Sequence, residues 1–251
     1  MSASDPIVWH ELECGSYRAD LALWLALAER HGGPVLDVGA GTGRVTLTLA
    51  RAGHAVTALD LDARLLQELE RRADLLAARS ALCRELVAPV AADARDFSLP
   101  VAYPLIIVPM QTLQLLGGAP GRQAFLRRAA AHLRRGGLIA AAVATALEPF
   151  DVRDGVPAPA PDITERDGLL YSSQPTAIRL DGGGYLLERR REKVMLDGAR
   201  QRSLNMVRID CVQVRALRDE ARHAELRLVG VERIAETEEH VASEVVMFNG
   251  S

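Results

Sequence analysis

Val35-Leu36-Asp37-Val38-Gly39-Ala40-Gly41-Thr42-Gly43-Arg44 decides the reading of this chain. An apolar run ends in three glycines at alternate positions. Val45-Thr46-Leu47-Thr48-Leu49-Ala50 follows at once with an amphipathic pattern. That order predicts a strand, a tight glycine turn and a helix. Glycine gives the backbone freedom and carries no Cβ, so a ligand can lie against the main chain. The helix N-terminus adds N–H groups and a partial positive charge. These are the ingredients of a nucleotide-like cofactor site. A dinucleotide fingerprint needs its third glycine one position later, where this chain has Arg44. A P-loop is excluded, because no Gly-Lys-Ser/Thr follows.

Four segments downstream extend the pattern. Ala55-Val56-Thr57-Ala58-Leu59-Asp60-Leu61-Asp62 predicts a second apolar strand ending in an acid, 17 residues beyond Gly43. In a parallel sheet this places the Asp60 carboxylate at the same edge as the glycine turn, where it can accept both hydroxyls of a ribose. Capping the helix that starts near Ala63 is the other role for Asp60, and Asp62 fits that role better. Val90-Ala91-Ala92-Asp93-Ala94-Arg95-Asp96-Phe97 predicts a third strand with an acidic tip, in which Asp96 is a turn or cap residue. Tyr103-Pro104-Leu105-Ile106-Ile107-Val108-Pro109-Met110-Gln111-Thr112 reads as a buried strand running into a polar corner. Leu133-Arg134-Arg135-Gly136-Gly137-Leu138-Ile139-Ala140 reads as a helix end, a Gly-Gly break and a fifth strand.

Asp37-x-Gly39-x-Gly41-x-Gly43 and these segments together resemble the class I S-adenosylmethionine-dependent methyltransferases, roughly over residues 33–146. The resemblance implies S-adenosyl-L-methionine as cofactor, with Tyr17, Gly39, Ala40, Gly41, Gly43, Asp60, Leu61, Asp93, Ala94 and Met110 around it. Asp60 is then the ribose acid. Asp93 faces the adenine amino group beside the backbone of Ala94, and the Gly39–Gly43 turn cradles the methionine end. Tyr17 and Arg18 on the N-terminal segment can face the cofactor, or can simply pack and be solvated. The methyl acceptor belongs beyond the ends of strands four and five. Gln111, Gln114 and Arg208 are the substrate-binding candidates, and His10, Gln111 and Glu148 the catalytic ones. Each has a plainer role: a helix cap for Gln111, a solvated loop acid for Glu148, a cross-strand pair with Glu188 or Glu192 for Arg208. Many nucleic-acid base methyltransferases carry Asn/Asp-Pro-Pro-Tyr/Phe at the fourth strand's tip. This chain has Val108-Pro109-Met110-Gln111, which argues for a small-molecule acceptor and against nucleic acid.

The bulk properties agree. The chain has 251 residues, 49% of them hydrophobic, with a net charge of −3. No general attraction to nucleic acid or membrane is implied. Lys193 is the one lysine among thirty basic residues. Cys14, Cys83 and Cys211 are scattered without metal spacing, which fits a reduced, cytoplasmic setting. The apolar run at residues 21–28 is too short to span a membrane, and no metal site is expected. Oligomeric state stays open.

The expected architecture is α/β: a Rossmann-like seven-stranded mixed sheet with helices on both faces and an antiparallel β insertion after strand five. Residues 1–33 form an irregular lead and a lid helix closed by Gly32-Gly33-Pro34. Residues 34–150 form the cofactor-binding core, with helices near 44–52, 63–79 and 121–133. Residues 151–212 form the insertion, expected to cap the active site as in small-molecule methyltransferases. It opens on the proline-rich stretch 156–161, an exposed connection. Strands near 169–180, 185–196 and 202–212 follow, joined by Asp181-Gly182-Gly183-Gly184 and Asp197-Gly198 turns. The run Glu188–Lys193 reads as a solvated strand. Residues 213–251 complete the sheet with a helix near 214–226 and strands near 228–235 and 243–248. Two rivals remain: a cofactor-binding regulator that transfers nothing, and a nicotinamide dehydrogenase.

Overall fold

The computed structural model of the protein describes residues 5–79, 82–145, 147–237 and 240–250. The chain forms two compact units. One holds described residues 18–145 and 212–250, the other 5–17 and 147–211. The division falls at Tyr17, inside the expected N-terminal segment.

Helix α1 (Asp5–Cys14) belongs to the second unit, and α2 (Leu21–His31) opens the first. Then come β1 (Val35–Val38), α3 (Arg44–Arg51), β2 (Val56–Asp60), α4 (Ala63–Ala77), a short α5 (Leu82–Glu85) and β3 (Val87–Ala91). They are followed by β4 (Tyr103–Val108), α6 (Gly118–Ala131) and β5 (Leu133–Val143). After the second unit the chain returns as α7 (Val214–Arg222), β11 (Leu226–Ile234) and β12 (Ser243–Gly250). The seven strands run β11-β12-β5-β4-β1-β2-β3. β1 pairs in parallel with both β2 and β4, whereas β12 runs antiparallel between β5 and β11. The sheet is therefore mixed. All four residues of β1 are buried, as a central parallel strand requires. Leu36, Val38, Leu59, Ile106 and Ile139 pack on one face with Phe125 of α6 and Leu217 of α7. Ala58 lies on the opposite face with Ala50 of α3 and Leu66 and Leu69 of α4. Helices thus cover both faces.

Local chemistry fixes the connections. Asp62 caps α4, its carboxylate accepting from the Arg64 N–H at 2.9 Å. His132 accepts from the Leu99 N–H at Nε2 (2.9 Å), and its Nδ1 lies 2.7 Å from the Arg128 carbonyl. This histidine holds structure. Arg122 of α6 and Glu220 of α7, both buried, meet in two parallel bonds of 2.9 and 2.7 Å.

The second unit is antiparallel and larger in strand number than the sequence suggests. Besides β8 (Leu169–Asp181), β9 (Gly184–Val194) and β10 (Arg200–Asp210), it contains β6 (Phe150–Asp151) and β7 (Asp162–Arg166). Both pair with β8, one at each end. The proline alternation stops at Pro161, and β7 starts on the next residue. Pro175 sits at a register shift in β8, where a missing N–H is tolerated, and Thr176 has no cross-strand partner in the β8–β9 ladder. Thr176 donates instead to the Glu188 carboxylate at 2.8 Å.

Two expectations need correction here. The N-terminal lead is the helix α1, not irregular chain. The Glu188–Lys193 run is not a solvated strand, because Glu188 and Lys193 are both buried. Lys193 donates to Asp5 at 2.9 Å and lies over the Tyr171 ring, and Arg191 forms two 2.8 Å bonds to Glu13. Trp9 meets Tyr171 edge-on at 5.1 Å. α1 is thereby fastened to the β8–β9 surface. The sequence carries no local mark of this, since the partners lie more than 150 residues apart.

Breaking the Arg122–Glu220 pair leaves a buried carboxylate without its cation. Arg122→Ala is expected to lower unfolding free energy by about 3–5 kcal/mol, whereas Arg122→Met with Glu220→Leu loses far less. Urea denaturation of the three proteins checks this.

Candidate functional site

The tips of β1, β2, β3 and β4 converge at one sheet edge, and a single carboxylate stitches two of them. The Asp60 side chain accepts from the Gly41 N–H at 2.8 Å with one oxygen and from the Asp62 N–H at 2.9 Å with the other. The Leu59 carbonyl accepts from both Gly39 N–H (2.8 Å) and Ala40 N–H (3.1 Å). The Gly43 N–H closes back on the Ala40 carbonyl at 2.9 Å. The turn is therefore held rigidly against β2. Each Asp60 oxygen has a lone pair left for a ligand hydroxyl. Leu61 follows it with 72% of its surface exposed, an apolar side chain beside a polar anchor.

The three turn glycines all have positive φ, +76° at Gly39, +56° at Gly41 and +93° at Gly43. Two of them answer to packing. A Cβ on Gly39 would stand 2.4 Å from the Thr112 hydroxyl, and one on Gly43 would stand 2.8 Å from Leu69. Thr112 itself is anchored on the Pro109 carbonyl at 3.1 Å. The sequence assigns all three glycines to ligand approach, whereas the structure gives Gly39 and Gly43 a protein neighbour. Met110, at the tip of β4, adopts φ +56°, a left-handed conformation unusual for a side chain of this size.

Asp93 lies at the tip of β3, where the Ala92 N–H donates to the Asp60 carbonyl at 3.0 Å. Its carboxylate accepts from the Arg95 backbone at 2.8 Å and from the Arg95 guanidinium at 2.9 and 2.6 Å. Those bonds hold its carboxyl below the usual range. Gln111 is half-buried and makes no side-chain cap bond to the turn Thr112–Leu115, so the capping role does not apply. Gln114 differs from the expectation of a substrate ligand. It is buried, donating to the Ala144 carbonyl at 3.0 Å and accepting from the Ala144 N–H at 2.7 Å. It clamps the β4 corner to the end of β5, and its amide faces the fold.

Residues with no role assigned from the sequence lie beneath the turn. Asp37 is 1% exposed; one oxygen accepts from the Thr46 hydroxyl at 2.6 Å, and the other is buried without a partner. Burial pushes this carboxyl up to about 6. Arg44 holds Asp20 in two bonds of 2.5 and 2.7 Å, and Trp24 donates to the same carboxylate at 2.8 Å. This pair ties α2 to the first residue of α3. The signal was present in Asp20-x-x-x-Trp24, whose spacing places both on one helix face.

The remaining candidates lie in the other unit. Tyr17 is buried at its edge, and Glu148 is exposed. His10 is on α1, with Nδ1 buried and 3.9 Å from the Glu11 carboxylate. Arg208 does not pair with Glu188 or Glu192. It bonds Asp210 at 2.9 Å and the carbonyls of Asp181 and Gly182 at 3.1 and 3.2 Å, bracing the β8–β9 turn. Among the described residues no group of three or more His, Cys, Asp or Glu side chains is placed to hold a metal ion.

Residues 35–137 match a family described as "Methyltransferase domain". A 41-residue segment is 56% identical to a demethylmenaquinone methyltransferase of Tropheryma whipplei (strain Twist), covering 16% of this chain and 17% of that protein. The match thus spans about a sixth of the relative's length. Solved structures share the fold. The sugar N-methyltransferase KedS8 from Streptoalloteichus sp ATCC 53650 superposes with a TM-score of 0.69 at 16% identity, over 96% of this chain and 91% of that one. S-adenosylmethionine-bound CalS10, an amino pentose methyltransferase from Micromonospora echinaspora, gives 0.65 at 18% identity, over 98% and 92%. Residues 35–137 thus carry a methyltransferase domain, and the glycine turn, the strand order and the acid at the tip of β2 lie within the fold that these S-adenosylmethionine-dependent methyltransferases share.

Proposed function

We propose that this protein transfers a methyl group from S-adenosylmethionine to a nitrogen or oxygen of a small-molecule acceptor, in specialised metabolism. One observation carries the reading: Asp60 locks the glycine turn and still offers lone pairs at the sheet edge, beside exposed Leu61. A ribose diol and an adenine face fit that pairing of anchor and apolar cover. Asp93 and the Ala94 backbone serve the adenine edge, the Asp93 carboxylate sharing its lone pairs between Arg95 and the base. The sugar and amino pentose methyltransferases of the same fold support an amino-bearing carbohydrate as acceptor class. Pro109-Met110-Gln111 at the tip of β4 and the net charge of −3 support a small acceptor over a nucleic acid. Cytoplasmic placement is part of the proposal; no described helix is long and apolar enough to cross a membrane.

The cofactor supplies a methyl group already activated on a positively charged sulfur. The protein's task is orientation and exclusion of water, worth roughly 7–11 kcal/mol of barrier in favourable systems. Gln111, free of a capping bond at the end of β4, orients the acceptor. A neutral amine needs no dedicated base, because its proton leaves after transfer; a hydroxyl acceptor needs one, with His10 and Glu148 as the candidates.

Incubation with S-adenosylmethionine and a panel of amino sugars, amines and phenols is expected to release S-adenosylhomocysteine with an amino-sugar acceptor. Tight binding with no release from any acceptor favours a regulator. Tighter binding of NAD than of S-adenosylmethionine overturns the cofactor.

Asp60→Ala removes the acceptor for Gly41, Asp62 and the ribose together. It is expected to weaken S-adenosylmethionine binding by about ten- to a hundredfold, the size of one charged hydrogen bond. Calorimetry reads the affinity, and an unchanged thermal transition shows that the fold persists. Equal affinity in the variant removes Asp60 from the site.

A further inference from the structure

The corner that follows β4 is anchored on both sides and open in its middle. Thr112 stands in the space that a side chain on Gly39 would occupy. A Cβ there would lie 2.5 Å from the Thr112 methyl and closer still to its hydroxyl. The same hydroxyl donates to the Pro109 carbonyl at 3.1 Å. Two residues on, Gln114 takes both backbone groups of Ala144, just beyond the end of β5. Leu113, between these anchors, is fully buried in the core. Met110 and Gln111 lie ahead of the anchors. Met110 is held at φ +56°, and the Gln111 side chain makes no cap bond. A left-handed methionine is costly and persists only where its surroundings over-determine it. The anchors supply that constraint, and none of them uses the two side chains that the corner displays. Rigid support around unengaged side chains is what holds a reacting partner in a productive geometry.

We propose that Thr112 is a positioning residue for methyl transfer: seated in the notch that Gly39 leaves open, it fixes the corner carrying Gln111 at one distance from the glycine turn. This rests on the reading of the turn and the corner as the donor and acceptor sides of the transfer. In that step the acceptor's lone pair forms a bond to the methyl carbon as the carbon–sulfur bond breaks. The bonding pair stays on sulfur, which becomes a neutral thioether, and an amine acceptor then sheds its proton to solvent. The attacking atom must lie in line and about 3–3.5 Å away, and a misplacement of about 1 Å costs on the order of a hundredfold in rate. Thr112 sets that distance through the backbone. Both branches of its side chain face the notch. Shape is therefore the requirement. Valine keeps both branches and loses only the bond to Pro109, whereas serine keeps that bond and leaves half of the notch empty.

The test compares Thr112→Ala, Thr112→Val and Thr112→Ser with the wild type. The probes are S-adenosylmethionine and whichever amino sugar of the panel above the wild type turns over fastest. In Thr112→Ala, kcat is expected to fall about ten- to a hundredfold. KM for the amino sugar and Kd for S-adenosylmethionine are expected to stay within about twofold, the mark of an interaction realised only in the transition state. Thr112→Val is expected to recover most of the lost kcat, and Thr112→Ser little of it. If Thr112→Ala fails to fold, the valine and serine variants decide between them. A kcat kept in Thr112→Ala, with loss only in the thermal transition, overturns the inference. So does a Kd for S-adenosylmethionine that weakens as far as kcat falls, or recovery by serine in place of valine. Each of these results leaves methyl transfer standing. Absence of turnover by the wild type with every amino sugar overturns the transfer reading, and the inference with it.

Discussion

The hydrogen bond from the Gly41 N–H to the Asp60 carboxylate is the constraint on which the site depends. It joins the loop after β1 to the tip of β2, and the second oxygen fixes the chain's exit toward α4 through Asp62. The two N–H groups converging on the Leu59 carbonyl finish the same stitch from the backbone side. A loop with three positive-φ glycines would otherwise carry the conformational freedom that glycine brings. Here that freedom is removed before any ligand arrives. Binding to a pre-ordered turn avoids the entropy of ordering it, which is the advantage of preorganisation. The same carboxylate can also take the proposed ribose, because a carboxylate has more than one acceptor site per oxygen.

Electrostatics under the turn follow from where the protein puts its cations. Arg44 stands where a dinucleotide-binding loop would have its third glycine, and it points its charge at Asp20, not outward. Arg95 likewise satisfies Asp93 from two residues away. Both arginines neutralise carboxylates that the fold brings to one edge.

Much of this was legible in the sequence where the signal is local. The strand–turn–helix of residues 35–50, the acid closing β2 and the cap at Asp62 all follow from patterns within a few residues, whereas Gly136-Gly137, read as a break ahead of the fifth strand, lies inside β5. What escaped depends on distance. Gln114 looks like a polar residue at an acceptor corner until the fold brings the Ala144 backbone to both ends of its amide. Gly39 looks like room for a ligand until Thr112 arrives from the β4 corner. Glu188–Lys193 looks solvated because six consecutive charges are read as a surface, yet alternate residues of a strand face opposite sides. The partners that draw Lys193 and Arg191 inward, Asp5 and Glu13, lie at the other end of the chain. The two-residue strand β6 is too short to carry any period.

The second unit is built differently from the core, and the difference bears on how each tolerates change. The core buries long apolar runs on both faces of its sheet, so its stability comes from burial that many apolar side chains can supply. The second unit has few large buried apolar groups, notably Trp9, Tyr171 and Ile209, and fastens α1 with Asp5–Lys193 and Glu13–Arg191. Buried pairs of this kind add little net stability, because desolvation offsets attraction, but a single broken partner is severe. Their contribution is geometric: Asp5 accepts from both Lys193 and Tyr171, which allows α1 one seating on the β8–β9 surface. Apolar swaps at the core are therefore tolerated in many combinations, whereas in the second unit the paired positions must change together or not at all.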